Sequence, residues 1–547
     1  RMEQQTGISG AQTLAQWVRL AGSRRGDALE LPGIAVDDAP DIPVRGFMLD
    51  VSRNRVPRLD TLFELVDLLA SLKINQLQLY TEHTFAYRGH ETVWRDASPL
   101  TAEEVRRLDA FCAERFVELV PNQNSFGHMH RWLAHEPYRR LAEVPEGLEH
   151  PFGQTAEPFS LCPVDPRSLE LLEDLYEQLL PNFRSRLFNA GLDETFDLGR
   201  GRSAAACTER GKHRVYLDFV RAIHERVRRW DRRLLFWADI LLERPELAGE
   251  LPEDVVPLIW GYEADHPFAE QAAALAGTGL DFYLCPGTSS WNSLGGRLDN
   301  ALGNLAAAAR AARDAGAAGY LITDWGDFGH LQPMPISWPG ILAGAAFSWN
   351  VPPVEPSARQ SAGERIDAST AHPAALPLVE LLEAHVPELR GSELGRPLVQ
   401  LGRLDASTGV RLKNSSIVFQ LLLRAGETLE HERYDGLTPE GLERCRASIR
   451  EIREALAPST HAAPSLASHE LPWVAELLDV GCRIGLARLL AGRDRPLAAI
   501  DRAAAAELRA ATLERLDELP RLWLARSRPG GLPDSEANLR RIVTALA

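Results

Sequence analysis

The sequence predicts an α/β protein built on a (β/α)8 TIM barrel, and three observations carry that expectation. From residue 45 to about 350, short apolar runs alternate with amphipathic stretches, the pattern of βα units around a parallel sheet. Eight such runs occur, at 45–51, 74–81, 116–121, 186–192, 233–239, 255–261, 280–286 and 319–325. Between them, apolar residues fall on one helical face, as with Leu59, Leu62, Leu65, Val66, Leu69 and Leu72. An open doubly wound sheet is the alternative, but the first βα turn lacks the G-x-G-x-x-G of a dinucleotide site.

The flanks are shorter or simpler. Residues 1–40 are too few for a domain and are expected to be the remnant of a small N-terminal α/β module, with the barrel over 41–350. A Pro- and Ser-containing linker is expected over 351–377. Residues 378–547 are rich in Ala, Leu, Glu and Arg with helical periodicity, which predicts an all-helical C-terminal domain used for packing or for a homodimer contact.

Composition excludes several functions. A formal net charge of -16 disfavours nucleic-acid phosphates and anionic membrane surfaces and leaves neutral small molecules as partners. The six cysteines form no C-x-x-C pair and have no histidine at ligand spacing, so they read as buried thiols in a reducing compartment. No signal-peptide stretch opens the chain and no run of about 18 apolar residues occurs, so a cytoplasmic protein is expected.

In a barrel of this kind the chemistry sits at the carboxyl ends of the strands. There the sequence places Glu82 and His83 after strand 2, the segment "NQNSFGHMH" with His128 after strand 3, and adjacent acids Asp193 and Glu194 after strand 4. Strands 5, 6 and 8 end at Trp237, Trp260 and Trp325, and Trp291 follows strand 7. An aromatic wall of that sort suits the apolar face of a sugar ring. Ordinary glycoside hydrolysis needs two carboxyl groups flanking the bond. Neighbours in sequence are badly placed for that, but one can protonate the leaving oxygen while the other steadies a nucleophile belonging to the substrate. "HMH" (128–130) leaves a zinc hydrolase as a rival reading, and a non-catalytic sugar-binding barrel is a second.

Several segments resemble the family 20 glycoside hydrolases, the β-N-acetylhexosaminidases. "AGLDET" (190–195) is similar to the family's Gly-x-Asp-Glu signature, "RGFMLDVSRNRVP" (45–57) to its first strand, "PNQNSFGH" (121–128) to its strand 3 motif and "WGD" (325–327) to its Trp-x-Glu. The intracellular bacterial branch is the nearest resemblance, with the animal hexosaminidase D type also similar. Asn122 and Asn124 replace two acids of the strand 3 motif, and "PGTSSWNS" (286–293) lacks the usual Asp and Tyr of strand 7.

The resemblance implies an exo-acting, retaining enzyme that removes terminal GlcNAc or GalNAc through an oxazolinium intermediate, with no metal or cofactor. It implies Asp193 as the residue that orients the acetamido group and Glu194 as the general acid and base. Arg45 and Asp327 are then expected to hold sugar hydroxyls, and Trp237, Trp260, Trp291 and Trp325 to enclose the ring. His128 is expected to link Glu82 to Glu194. The expected partner is a small oligosaccharide or glycoconjugate ending in N-acetylhexosamine.

Overall fold

Eight parallel strands close around one interior in the computed structural model, which describes residues 2–25, 28–149, 151, 157–353, 376–457 and 464–547. They are β1 (Val44–Asp50), β2 (Gln76–Tyr80), β3 (Glu118–Val120), β4 (Leu187–Asn189), β5 (Arg233–Trp237), β6 (Val256–Trp260), β7 (Tyr283–Cys285) and β8 (Gly319–Asp324). Each pairs with its successor except at the seam between β3 and β4, and β8 returns to β1 in the register Gly319↔Val44 to Asp324↔Leu49. Two bonds just past the strand ends close that seam: Gln123 N–H donates to Asn189 O at 3.0 Å, and Asn189 N–H to Pro121 O at 2.9 Å. The expected (β/α)8 barrel is therefore the fold.

Period-two alternation divides the side chains. Leu235 and Trp237 of β5 and Val256 and Leu258 of β6 fill the interior with Met48, Tyr80, Tyr283, Cys285 and Leu321. Leu234, Phe236 and Ile259 turn outward into the helical layer. A tryptophan that closes an inward-facing series stands at the top of the barrel, which is how Trp237 and Trp260 come to face the loops.

A helix, α1 (Met2–Ala21), and two short antiparallel strands (Ser23–Arg25 and Ala28–Glu30) precede the barrel. The outer layer consists of α2 (Leu59–Ser71), α3 (Ala102–Glu114), α4 (Pro166–Leu179), α5 (Lys212–Arg228), α6 (Phe268–Ala276), α7 (Leu298–Ala315) and α8 (Trp338–Trp349). Local signals set their starts. Thr101 and Glu104 form a reciprocal capping box on α3, and Asp165 accepts from Arg167 N–H ahead of α4. The connection from β5 to β6 differs from the expected cadence, with a four-residue helix (Asp239–Leu242) and a 3-10 segment (Pro245–Glu250) instead of a full crossover helix.

Most of the expected linker, 354–375, lies outside the described residues. Beyond it come α9 (Leu378–His385), α10 (Gly395–Gly402), α11 (Ile417–Leu423), α12 (Pro439–Ala455), α13 (Ala467–Ala491), α14 (Arg502–Arg526) and α15 (Leu532–Ala545). This helical region packs on the barrel. Arg528, just past α14, donates to Glu104 of α3 at 2.6 Å, and Ser535 of α15 donates to the carbonyl of Gly329 in the loop after β8.

Candidate active site

The chain leaves β4 through a tight turn. Gly191, Leu192 and Glu194 all have positive φ, at 73°, 76° and 52°, a conformation that costs a non-glycine residue free energy and that recurs at functional sites. The Glu194 amide is fixed by Asp239, whose Oδ2 accepts from it at 3.0 Å. Gly127 lets the loop after β3 come up against this turn, because a Cβ there would sit 2.3 Å from the Asp193 carbonyl oxygen.

That approach delivers His128, itself at φ 57°. Its Nε2 stands 3.3 Å from Asp193 Oδ2 and 3.2 Å from Glu194 Oε2, and its Nδ1 lies 3.8 Å from Glu82 Oε1. Burial by itself lowers the His128 pKa, but Asp193 first and Glu194 after it outweigh burial and hold it up at about 10. The imidazole is therefore a cation between two acids. Glu82 is ionised as well: burial opposes this, but Arg53 and then His130, His128 and His83 bring its pKa down to about 2. Tyr80 donates to Glu82 at 2.9 Å, and Asn124 donates to Tyr80 at 2.6 Å, so one of the two asparagines of the strand 3 motif orients a phenol.

The arginine of the site is Arg53, and the expectation for Arg45 is corrected. Arg45 lies at the amino-terminal end of β1, where its guanidinium donates to the carbonyls of Ile42, Pro43 and Lys73 and stacks 5.0 Å from the Trp349 ring. It braces the bottom of the barrel, at the wrong end to touch a ligand. Arg53, eight residues later and past the carboxyl end of β1, lies 4.6 Å from the Tyr80 ring and 4.8 Å from that of Trp325. Asp50 (3.2 Å), Glu82 (3.6 Å) and Asp327 (3.7 Å) surround it. Burial raises Asp327 to about 6, against the pull of Arg53.

Trp237, Trp260 and Trp325 join these groups around a cavity of about 1200 Å³. Their indole N–H groups are buried without a partner among the described residues, as is Asp193 Oδ1. Unmatched buried polar atoms are costly, and a site awaiting a polar ligand accounts for them. Trp291 is corrected to a supporting role. It is 1% exposed, lies outside the cavity lining, packs edge-on against Tyr262 at 5.1 Å and donates to Asn414 Oδ1 at 2.9 Å.

Tyr262, stacked on Trp260 at 5.4 Å, lines the cavity and was missed in the sequence reading, as were Arg53 and Asp239. Burial holds the Tyr262 phenol well above its usual pKa, so it keeps its proton. Asp239 is raised to about 8 by burial and by the neighbouring charge of Asp193.

Among the described residues, His128, Asp193 and Glu194 make up the one cluster able to offer three metal-ligand atoms, all within 4.8 Å of one another. The nitrogen of His128 that faces the two acids holds a proton up to about pH 10, which makes it a poor lone-pair donor. His130, the other half of the H-x-H, does not belong to the cluster.

Residues 43–291 match the model of the glycosyl hydrolase family 20 catalytic domain. That span, less than half of the chain, holds the strands β1 to β7. Hexosaminidase D of Bos taurus is 28% identical over 218 residues, covering 38% of this chain and 60% of that protein. A beta-hexosaminidase of Porphyromonas gingivalis is 23% identical over 305 residues, covering 51% of this chain and 37% of its own length. The chain thus spans less than two thirds of each of these relatives.

Among solved structures, Flavobacterium johnsoniae chitobiase superposes with a TM-score of 0.52 at 16% identity, over 98% of this chain and 82% of that one. A Vibrio harveyi exo beta-N-acetylglucosaminidase in complex with N-acetylglucosamine gives 0.52 at 17%, over 72% and 64%. At such identities these two likenesses bear on the fold alone. Within the matched span lie Asp193 and Glu194, which the β4 turn presents, Arg53 at the cavity and Arg45 in the foundation of the barrel.

Proposed function

We propose that this chain is an exo-acting, retaining β-N-acetylhexosaminidase that removes a terminal non-reducing N-acetylhexosamine by substrate-assisted catalysis. One observation carries the reading: Asp193 and Glu194 meet at the same nitrogen of His128, so both approach a bound sugar from one side. A protein nucleophile and a general acid must come from opposite sides of the bond. The substrate's own acetamido oxygen supplies the missing nucleophile.

In the first step that oxygen attacks C1, the bond from C1 to the leaving oxygen breaks, and Glu194 gives that oxygen a proton. Asp193 accepts the amide N–H and offsets the positive charge of the oxazolinium ion. In the second step water attacks C1, returns a proton to Glu194 and reopens the ring, so the configuration at C1 is retained. His128, pinned to both acids, keeps them apart in role and close in space. Tyr262 is the protonated donor available to the acetamido oxygen, and Trp237, Trp260 and Trp325 enclose the group. Arg53 and Asp327 take the ring hydroxyls, and the packed cluster of Asp50, Arg53 and Glu82 behind them favours a chain end over a mid-chain sugar.

Six unpaired cysteines, five of them buried, support a reducing compartment such as the cytoplasm. Among the described residues no helix is long and apolar enough to cross a membrane.

The test is turnover of 4-nitrophenyl N-acetyl-β-glucosaminide beside the plain β-glucoside. The proposal expects cleavage of the first only, and a loss of about 10²- to 10⁴-fold in kcat for Glu194→Gln. Equal cleavage of the two substrates overturns it.

A further inference from the structure

The cavity is larger than the reaction needs. Sites for drug-sized ligands occupy roughly 300–1,000 Å³, and this one, at about 1200 Å³, has room beyond a single sugar ring. The additional wall comes from the helical region after residue 376, in three segments: Lys413 and Asn414, Leu423 to Glu427, and Asp534 to Arg541.

Two of these segments are bonded directly to the loops at the barrel top. Asn414 N–H donates to Glu263 at 2.6 Å, and its side chain accepts from Trp291. Asn538 donates to the carbonyl of Phe328 at 2.9 Å, and Asp534 pairs with Arg131 at 3.2 Å. In the third, Arg424 is neutralised within its own segment by Glu427 at 2.7 Å. Two cations are left over. Lys413 and Arg541 are exposed and have no ion pair among the described residues, whereas on the barrel side Asp265 acts on His266. The helical side of the lining carries Lys413, Arg424 and Arg541 against Glu427 and Asp534, a small positive excess in a chain of net charge -16, and faces the acids of the barrel side.

We propose that the helical region builds the leaving-group side of the cleft and that Lys413 and Arg541 select an aglycone carrying a negative charge, a carboxylate or a sulfate ester. This rests on the hexosaminidase reading above and adds a substrate class to it. The sugar to be released sits among the tryptophans, and the residue it departs from lies under the helical wall, its anionic group between the two cations.

The test uses the full chain and three disaccharides that share one linkage: N-acetylglucosamine β-linked to glucose, to glucuronate and to glucose 6-sulfate. The charged substrates are expected to exceed the neutral one in kcat/KM by about fivefold at low salt, two exposed cations each contributing modestly. That advantage should fade at about 0.5 M salt. It should fall towards unity in Lys413→Ala/Arg541→Ala and persist in Lys413→Arg. The carboxylate and sulfate arms separate the two anions. Equal kcat/KM for neutral and charged substrates in the wild type, or an advantage that survives the double substitution, overturns the inference. Turnover of the aryl N-acetylglucosaminide in the same preparation separates that outcome from a failure of the hexosaminidase reading, which would remove both.

Discussion

One imidazolium serves two carboxylates at 3.3 and 3.2 Å, and a third acid, Asp239, holds the backbone of the second. Four ionisable groups therefore share one small volume, and burial together with their mutual charges settles which keep protons. The folded pKa of Asp239 is about 8 against an ordinary 3.8. Between those values the folded protein binds more protons than the unfolded chain, so this group makes stability fall as pH rises through the window. Asp239→Asn removes that uptake. In urea unfolding, the stability of the variant relative to wild type should rise between about pH 5 and about pH 9; a constant difference across that range would refute the assignment. Residue identity was only partly legible in the sequence. Arg45 and Arg53 share one motif, and the strand-end rule alone separates them: the first begins β1 and the second follows it. Asp239 and Tyr262 follow strand ends too, but nothing in their spacing sets them apart from ordinary loop residues.

At the scale of elements, the strands were legible because both faces of each are buried, so each reads as a short apolar run. The observed β7 is three residues against seven expected, since apolar character extends beyond the residues that make ladder bonds. The crossover from β5 to β6 departs from the general βα cadence, with a four-residue helix and a 3-10 segment that begins at Pro245. Loop geometry was not legible at all. Whether the loops after β3 and β4 meet depends on Gly127, whose absent side chain leaves room for the Asp193 carbonyl. Gly127→Ala should therefore separate His128 from the acid pair and lower kcat/KM by about 100-fold, the cost of misplacement by about 1 Å. Gly249→Ala, where a Cβ meets nothing within 4 Å, is the control. Equal activities in the two variants would show that the approach of the loops does not matter.

Over the whole molecule, the periodicity after residue 377 announced helices but no role in the cleft, because Asn414 and Asn538, which fasten the region there, meet partners more than 100 positions away. Glu263 is the clearest junction. It pairs with Arg297 at 2.9 Å, a guanidinium only 4% exposed, and accepts the Asn414 N–H, joining the loops after β6 and β7 to the helical region. Glu263→Ala leaves a buried cation unpaired and should cost about 3 kcal/mol of unfolding free energy; a change under about 0.5 kcal/mol, the scatter of surface substitutions, would argue that the helical region is held elsewhere. The central claim, that the bound sugar provides the attacking oxygen, is open to one direct measurement. In 4-nitrophenyl glucosaminides bearing N-acetyl, N-fluoroacetyl, N-difluoroacetyl and N-trifluoroacetyl groups, each fluorine makes the carbonyl oxygen a weaker nucleophile. The account predicts that kcat/KM falls steeply and steadily along the series. A rate indifferent to fluorine would mean that the protein, and not the substrate, supplies the nucleophile.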